Sequence, residues 1–592
     1  MKKIAALLAF ILLTNLVSAQ DLTSTWSDKE FYTNKTTGFF DHFVGGNSKY
    51  VYAKCSKVPA FGGGKKRGVA GEKKSKINLI AYDRATMKEA ANATILDISK
   101  DKKYAGLNYY KTIVFENSIY VFWVSDTKAK DELYVASYDS KLKKVNALKK
   151  IYELASSKGD LRKAELFVMG NQKAGEKIII GGELATDEGQ DIKMEYKLLN
   201  SDFTFASSGQ VTLPVIAAKG LKRNLLQGSG SDALSSTYLF GDDGNLHLRT
   251  YVRVNDEEKK DLKKGMDKSY AIYSIVDVSS GKIHSFSMKA DNKNILEFDF
   301  KVIKNSIKLF GFFNDINKGG TINGIFTASV DPKAYTITNL NFSYFTKDQL
   351  ATLFAKDQAD ANKGGIFASK KKKDDAKESL AANYTIEDVQ SIDKDNLVLF
   401  TSKMWNYTTR TCDSKGNCYT NYYCQKDNIT VFKLNAKGDI VWATNLDRRK
   451  TYGGWYVYDV KVINKDKNFY IAYGSDYNTT EKDNGKTKKS RKSKDQRTDR
   501  LEYAMFDYNT GAIQRKELKI NAVNAPKAEM KSVVPLKMEV INNEFYVNST
   551  KGKLKPWIYA LWLCPPVGCA STFIIPGAKK WTCYNGKIAP MK

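Results

Sequence analysis

Three basic runs hold most of the residues whose type and spacing suggest chemistry. GGGKKRGVAGEKKSK (62–76) sets Lys65, Lys66, Arg67, Lys73, Lys74 and Lys76 against a single acid, Glu72. KTKKSRKSK (486–494) carries Lys486, Lys488, Lys489, Arg491, Lys492 and Lys494, and the wider stretch 476–500 nets +4. KGKLKP (551–556) adds Lys551, Lys553 and Lys555. Lysine acts as a compact point charge without the bidentate fork of arginine. The chemistry implied is general, salt-sensitive attraction for polyanions, not recognition of one small group. Only Tyr477 is interleaved with these runs, and base stacking needs aromatic platforms, so nucleic acid is not an expected partner. GGGKKRG lacks the residue order of a phosphate loop and leads into a strand-like segment.

Other candidates are sparse. His42, His247 and His284 each stand alone in strand-like stretches. Each reads as a structural histidine, and His42, beside Asp41 in FFDHF, is the one placed to face a cavity. No histidine pair has metal-ligand spacing and no C-x-x-C occurs, so neither a metal nor a cofactor is expected. GDDGN (241–245) is oxygen-rich but lacks the ligand order of a calcium loop and reads as a turn. In an exported chain seven cysteines favour disulfides with one thiol left over. Cys412, Cys418 and Cys424 share one connection, Cys564 and Cys569 flank PPVG, and Cys55 and Cys583 lie near opposite ends of the chain.

The elements that must position these residues repeat. LEYAMFDYNTGAIQRKELKI (501–520) is two alternating apolar runs around DYNTG, the pattern of a hairpin. Asp507 can cap the turn backbone, and Gly511 can take positive φ without steric cost. Equivalent turns are marked by Asp83, Asp139, Asn200, Asp277, Asp331 and Asn435. Each follows another hairpin with a short polar turn, such as TIVFENSIYVFWV or VKVINKDKNFYIAYG. The unit is therefore four strands, A to D, with a variable connection between B and C. Turn residues recur every 54–77 residues, with one interval of 104.

Four-stranded units at this spacing predict an all-β fold, a single β-propeller of antiparallel blades over 20–592. The count is eight blades, with seven as the alternative. A partly helical insertion at 347–384, containing KDQLATLFAKDQADANK, separates blades five and six. Blade eight is read as ending in the C–D hairpin WIYALWLCPPVGCASTFII. Antiparallel order puts every B–C and D–A connection on one face. Ring closure then makes blades seven, eight and one neighbours, so +12 of the mature net charge of +27 gathers in one sector. It also brings Cys55 and Cys583 toward each other. MKKIAALLAFILLTNLVSAQ reads as a signal peptide, 1–19, cleaved after Ala19. The expected location is periplasmic, cell-surface-associated or secreted.

NITVFKLNAKGDIVWATNL followed by WYVYDVKVINKDKNFYIAYGSD resembles the blades of an uncharacterised family of exported bacterial β-propeller proteins, most clearly over about 380–475. The resemblance implies an envelope or secreted location and little about activity. LNAKGDIVW also resembles the tryptophan docking motif of quinoprotein dehydrogenases, but only Trp442 fits it, so their cofactor is not expected. The function expected is a non-enzymatic binding or scaffold module of the cell envelope, docking an anionic polymer or an envelope protein through the basic loops. The alternative is a glycan hydrolase or lyase with its site at the mouth of the central channel, where carboxylates from several A strands would converge. A peripheral membrane contact through the C-terminal hairpin is a third reading, against which simple ring closure weighs more.

Overall fold

A computed structural model describes residues 22–32, 39–57, 76–97, 106–126, 130–155, 165–184, 190–216, 236–253, 269–316, 321–350, 380–412, 418–453, 459–475, 500–516, 538–554 and 579–590, interrupted at a few positions, together with the short pieces 477–478, 482–483, 486–487 and 490–491. The chain is an eight-bladed β-propeller. Seven blades follow the predicted A-B-C-D order as four-stranded antiparallel sheets. Blade one, for example, is Phe39–Gly46, Tyr50–Lys57, Lys76–Asp83 and Glu89–Asp97.

Blade eight corrects the sequence reading. Its A and B strands are Glu539–Ile541 and Glu544–Leu554, but strand C is Lys579–Pro590. Strand D is Leu22–Trp26 from the other end of the chain, with Leu22 opposite Pro590 and Trp26 opposite Gly586. The misread hairpin, with Cys564, Cys569, Trp557 and Trp562, lies outside the described residues, as do 1–21. Ring closure thus comes from the amino-terminal segment. A Cβ on Gly586 would meet the Trp26 ring at 2.6 Å, so the glycine lets that ring lie on the strand.

The core is eight apolar clusters, one at each junction between blades. Phe122, Leu133, Ile178 and Ile180 join blades two and three. Phe400, Val431, Phe469 and Phe506 join six and seven. Tyr82, Met87 and Tyr546 join one and eight. Burying one such side chain contributes about 1.5–3 kcal/mol, so the junctions, each shared by two sheets, carry the fold. The A strands are innermost and pack on one another from blade to blade, including eight on one. Arg84 of blade one bonds Glu544 of blade eight at 2.7 Å beside that junction.

The recurring turn is built as expected. Asp507 Oδ1 accepts from the backbone N–H of Asn509 at 3.0 Å and of Thr510 at 2.8 Å, while Gly511 has φ +71°. Four copies place Met87, Leu142, Phe203 or Tyr335 at the equivalent left-handed position. The strained backbone there is offset by burial, since Met87, Leu142 and Phe203 are fully inside the junctions. Trp442 of blade six lies on Gly511 of blade seven and donates from Nε1 to the Tyr508 carbonyl at 3.1 Å. Trp442→Phe keeps an aromatic ring but loses that donor and part of the indole's packing area; a decrease of about 1 kcal/mol or more in urea-unfolding stability is expected, and no decrease would show that neither the donor nor the rest of the indole locks the junction.

The insertion is helical over 347–350, where Thr346 and Gln349 cap reciprocally: the Gln349 N–H donates to Thr346 Oγ1 at 3.2 Å and the Thr346 N–H to Gln349 Oε1 at 2.9 Å. Most of the rest of 347–384 lies outside the described residues. Among the described residues no helix is long and apolar enough to cross a membrane.

Candidate binding site

Strands of blades one and eight carry the basic sector toward the B–C face. The last rungs of blade one set Lys57 opposite Lys76. Those of blade eight set Lys553 opposite Lys580 and Leu554 opposite Lys579. Like charges directly opposite in an antiparallel ladder destabilise it by a few tenths to about 1 kcal/mol. Two such pairs stand at the same face of adjoining blades. The first four residues of KGKLKP are therefore not a loop as expected: Lys551 and Lys553 continue strand B, with Lys551 opposite Thr582. In blade seven the connection doubles back on itself, pairing Tyr477 with Arg491 and Asp483 with Lys486. Lys65, Lys66, Arg67, Lys73, Lys74, Lys488, Lys489, Lys492, Lys494 and Lys555 lie outside the described residues. The sequence reading passed over Lys57, Lys579 and Lys580, although each abuts a basic run or strand end.

The expected three-cysteine loop of blade six is also sheet. Strand B runs Leu397–Cys412, C runs Cys418–Leu434 and D runs Ile440–Gly453. Cys412 and Cys418 form a disulfide at the tip, and Cys424 is buried lower down. Thr and aromatic residues in KMWNYTTRT and NYYCQ were the available strand signal. At the base of this extension four charged side chains are wholly buried. Arg448 Nη1 lies 2.6 Å from Asp459, Nη2 donates to Ser402 Oγ at 2.9 Å, and Lys426 bonds Glu387. Burial alone would push the Asp459 carboxyl up, but Arg448 and Lys426 outweigh it and hold the carboxyl below its ordinary range.

The channel wall between blades eight, one and two bears an open pocket of about 570 Å³ lined by His42, Lys54, Tyr109, Lys111 and Glu539 among others. His42 lines this pocket, edge-on to Tyr109 with ring centroids 6.4 Å apart. Lys54 Nζ sits 3.0 Å from Asp41 and 4.1 Å from the centre of the Tyr109 ring. Burial depresses Lys111, which donates to the Val168 carbonyl at 3.1 Å on the next A strand. Burial raises the Glu539 carboxyl, against the pull of Lys461 at 3.9 Å. Further round, burial raises Asp388 on blade six and depresses Lys301 on blade five, and each partly offsets the other. Glu297 on blade five is pushed up to about 7 by burial despite Arg249.

The remaining histidines are structural. His247 is buried, with Nδ1 2.7 Å from the Tyr273 hydroxyl and Nε2 2.9 Å from Asp243 in the GDDGN turn. His284 stacks on Tyr335. Cys55 lies in the core between blades eight and one, and Cys583 is on strand C of blade eight, so the ring does bring their blades together. The side chain of Cys583 is outside the described set. Among the described residues, no group of His, Cys, Asp and Glu is arranged to hold a metal ion.

No protein-family model matches the chain, and no curated protein matches it. Among solved structures it is similar to prolyl oligopeptidase B from Galerina marginata at 8% identity and TM-score 0.34, over 87% of this chain and 54% of that one. The chain thus spans about half the length of that protein. It is also similar to a polysaccharide lyase, an ulvan lyase bound to -[GlcA(1-4)Rha3S]-, at 7% identity and TM-score 0.33, over 82% and 98% of the two chains. An apocarotenoid oxygenase of Synechocystis follows at 8% identity and TM-score 0.26, over 75% and 98%. At these scores the likeness transfers neither an activity nor a substrate.

Proposed function

We propose that the protein is a binding or scaffold propeller of the cell envelope that docks a polyanion through the B–C face of blades seven, eight and one. The observation that carries this is the pair of like-charge rungs, Lys57 opposite Lys76 and Lys553 opposite Lys580, on adjoining blades. Asp97 on strand D stands opposite Lys76 and offsets part of the first rung, whereas a bound polyanion relieves both rungs. Lysine-rich surfaces of this kind bind by releasing counterions, so affinity falls steeply with salt. The alternative, a glycan hydrolase or lyase at the channel mouth, draws on the pocket beside His42. The wall carboxylates Asp41, Glu539 and Asp388 each have a lysine close by, whereas a two-carboxylate hydrolase needs facing acids free to exchange protons. Cation-matched acids suit a wall that holds its shape better than one that shuttles protons.

The test compares two variants of equal net charge against polygalacturonate and polyphosphate over a salt series. Lys76→Ser/Lys553→Ser/Lys580→Ser removes charge from the proposed sector. Lys141→Ser/Lys282→Ser/Lys333→Ser removes it from C–D turns and strand starts on the opposite face, where all three lysines are exposed. The first variant should bind with a salt slope shallower by roughly three, about one for each anionic group of the polymer no longer neutralised. The second should match the parent. Equal effects from the two would reduce the attraction to bulk charge and end the docking reading.

A further inference from the structure

The blade-six extension carries a second, different surface. Strand A of that blade starts at Tyr384, opposite Lys403. Beyond Lys403 strands B and C continue as a ladder to the Cys412–Cys418 disulfide, and strand D follows C as far as Gly453. Nine further residues of strand rise about 30 Å from the propeller face. The base is fixed by the buried Arg448–Asp459 and Lys426–Glu387 pairs and the tip by the disulfide, so the surface between them is presented by a stiff element.

Register decides what that surface displays. Trp405, Gln425 and Thr451 are opposite one another across strands B, C and D, and the next row on the same side is Tyr407, Tyr423 and Gly453. Tyr407 and Tyr423 stack at 5.2 Å with an interplanar angle of 19°, and Tyr407 is 37% exposed. A Cβ built on Gly453 meets nothing within 4 Å, so open space adjoins the tyrosine pair. Arg449 lies on the same side one row below, 3.8 Å from Asp427. With the Gln425 amide oxygen turned toward it, the guanidinium donates from Nε at 2.7 Å and from Nη2 at 2.8 Å, yet its side chain remains 48% exposed.

Parallel aromatic faces carry negative π density that attracts the polarised C–H groups on the face of a sugar ring, while amide, hydroxyl and guanidinium groups bond its substituents. An arginine at the edge adds a planar fork matched to a carboxylate or sulfate. We propose that this face stacks the sugar rings of an acidic polysaccharide on Trp405 and the Tyr407–Tyr423 pair, with ring acid groups directed to Arg449. The inference rests on the polyanion reading and narrows it. The extension leaves the same face as the basic connection of blade seven next to it, so one strand of polymer can meet both. A polyphosphate offers charge but no ring face, and would use the basic sector alone.

The experiment measures binding of the full chain to polygalacturonate and to polyphosphate at matched ionic strength. Trp405→Ala/Tyr407→Ala should lower polygalacturonate affinity roughly ten-fold or more, the equivalent of one good stacking interaction, and leave polyphosphate within about two-fold. Tyr422→Ser, an exposed tyrosine on the other side of the same hairpin, should change neither. Arg449→Gln disturbs no ring; it should weaken polygalacturonate binding and leave binding of the fully methyl-esterified polymer unchanged. Thermal unfolding of each variant checks that the fold persists, and Arg449→Gln decides the matter if the aromatic variant does not fold. Equal loss for both polymers, or no loss for either, overturns the stacking surface. A parent that binds polyphosphate but not polygalacturonate overturns it too while leaving the docking sector standing. A parent that binds neither overturns the docking reading itself.

Discussion

Arg448→Met lowers the stability of the propeller by about 3–5 kcal/mol at pH 7.5, read as the loss in urea-unfolding free energy. Glu387, Lys426, Arg448 and Asp459 are all fully buried, and their charges sum to zero. Arg448 bonds Asp459 at 2.6 Å, Ser402 at 2.9 Å and the Gly474 carbonyl at 3.5 Å, joining blade six to blade seven. Tyr452 donates a further bond to Asp459 at 2.5 Å. Methionine fills much of the volume but leaves two buried carboxylates facing one lysine. The penalty for that uncompensated charge exceeds anything the pair contributed as an attraction. One of the carboxyls can escape it by taking a proton, so the defect in the variant should shrink toward pH 5. Glu387 Oε2, Arg448 Nε and Asp459 Oδ1 make no hydrogen bond within the described protein, so the cluster is imperfectly satisfied as it stands. The double change Arg448→Met/Asp459→Leu keeps the neutral Lys426–Glu387 pair and should recover most of the loss. A single-variant loss under about 1 kcal/mol, or a double variant worse than the single, would show that the cluster does not lock the junction.

That cluster also marks where the sequence stops being readable. The blade count and turn chemistry were legible because they are local: an Asp or Asn caps a turn within four residues, and alternation is set by the period of a strand. Strand D of blade eight was not, because Leu22–Trp26 pairs with residues more than 550 positions away and carries no signal of that partner. WIYALWLCPPVGCASTFII satisfied the local hairpin pattern and so displaced the true strand C, whose KKWTCYNGKIAP is broken by a glycine that the Trp26 ring requires. The basic sector was legible as charge, but its like-charge rungs depend on register. Glu387 falls at a shift in register between Ile386 and Asp388, which turns the side chain out of simple alternation and into the junction. The blade-six extension was mistaken for a loop because polar strands lack an apolar period. Its rows of aromatic and amide groups emerge only when three strands are aligned.

A comparable pH effect is expected at Glu297, which follows a shift in register on an A strand. Its carboxyl accepts from Thr385 Oγ1 at 3.2 Å and from the Ile386 N–H at 3.4 Å on blade six, and burial pushes it up to about 7 from an ordinary 4.5. Below about pH 4.5 both folded and unfolded chains hold the proton, and the group has no effect on stability. Between 4.5 and 7 the unfolded chain releases the proton while the folded chain retains it, so each step up in pH favours unfolding. Above 7 both are ionised and the full loss, about 3 kcal/mol, is in place. Asp388 is raised by burial and acts in the same direction. Asp277 and Glu132 are held down to about 2 by their hydrogen bonds, and their contribution is lost only below the ordinary carboxylate range. Glu297→Gln keeps an acceptor oxygen for Thr385 and Ile386 but cannot ionise, which isolates the one group. Parent and variant should therefore be nearly equal in stability near pH 4.5, and the variant should gain steadily to about 3 kcal/mol by pH 8. Parallel stability curves over that range would mean that the carboxyl is solvated in the folded chain and that the junction between blades five and six is open to water at Glu297.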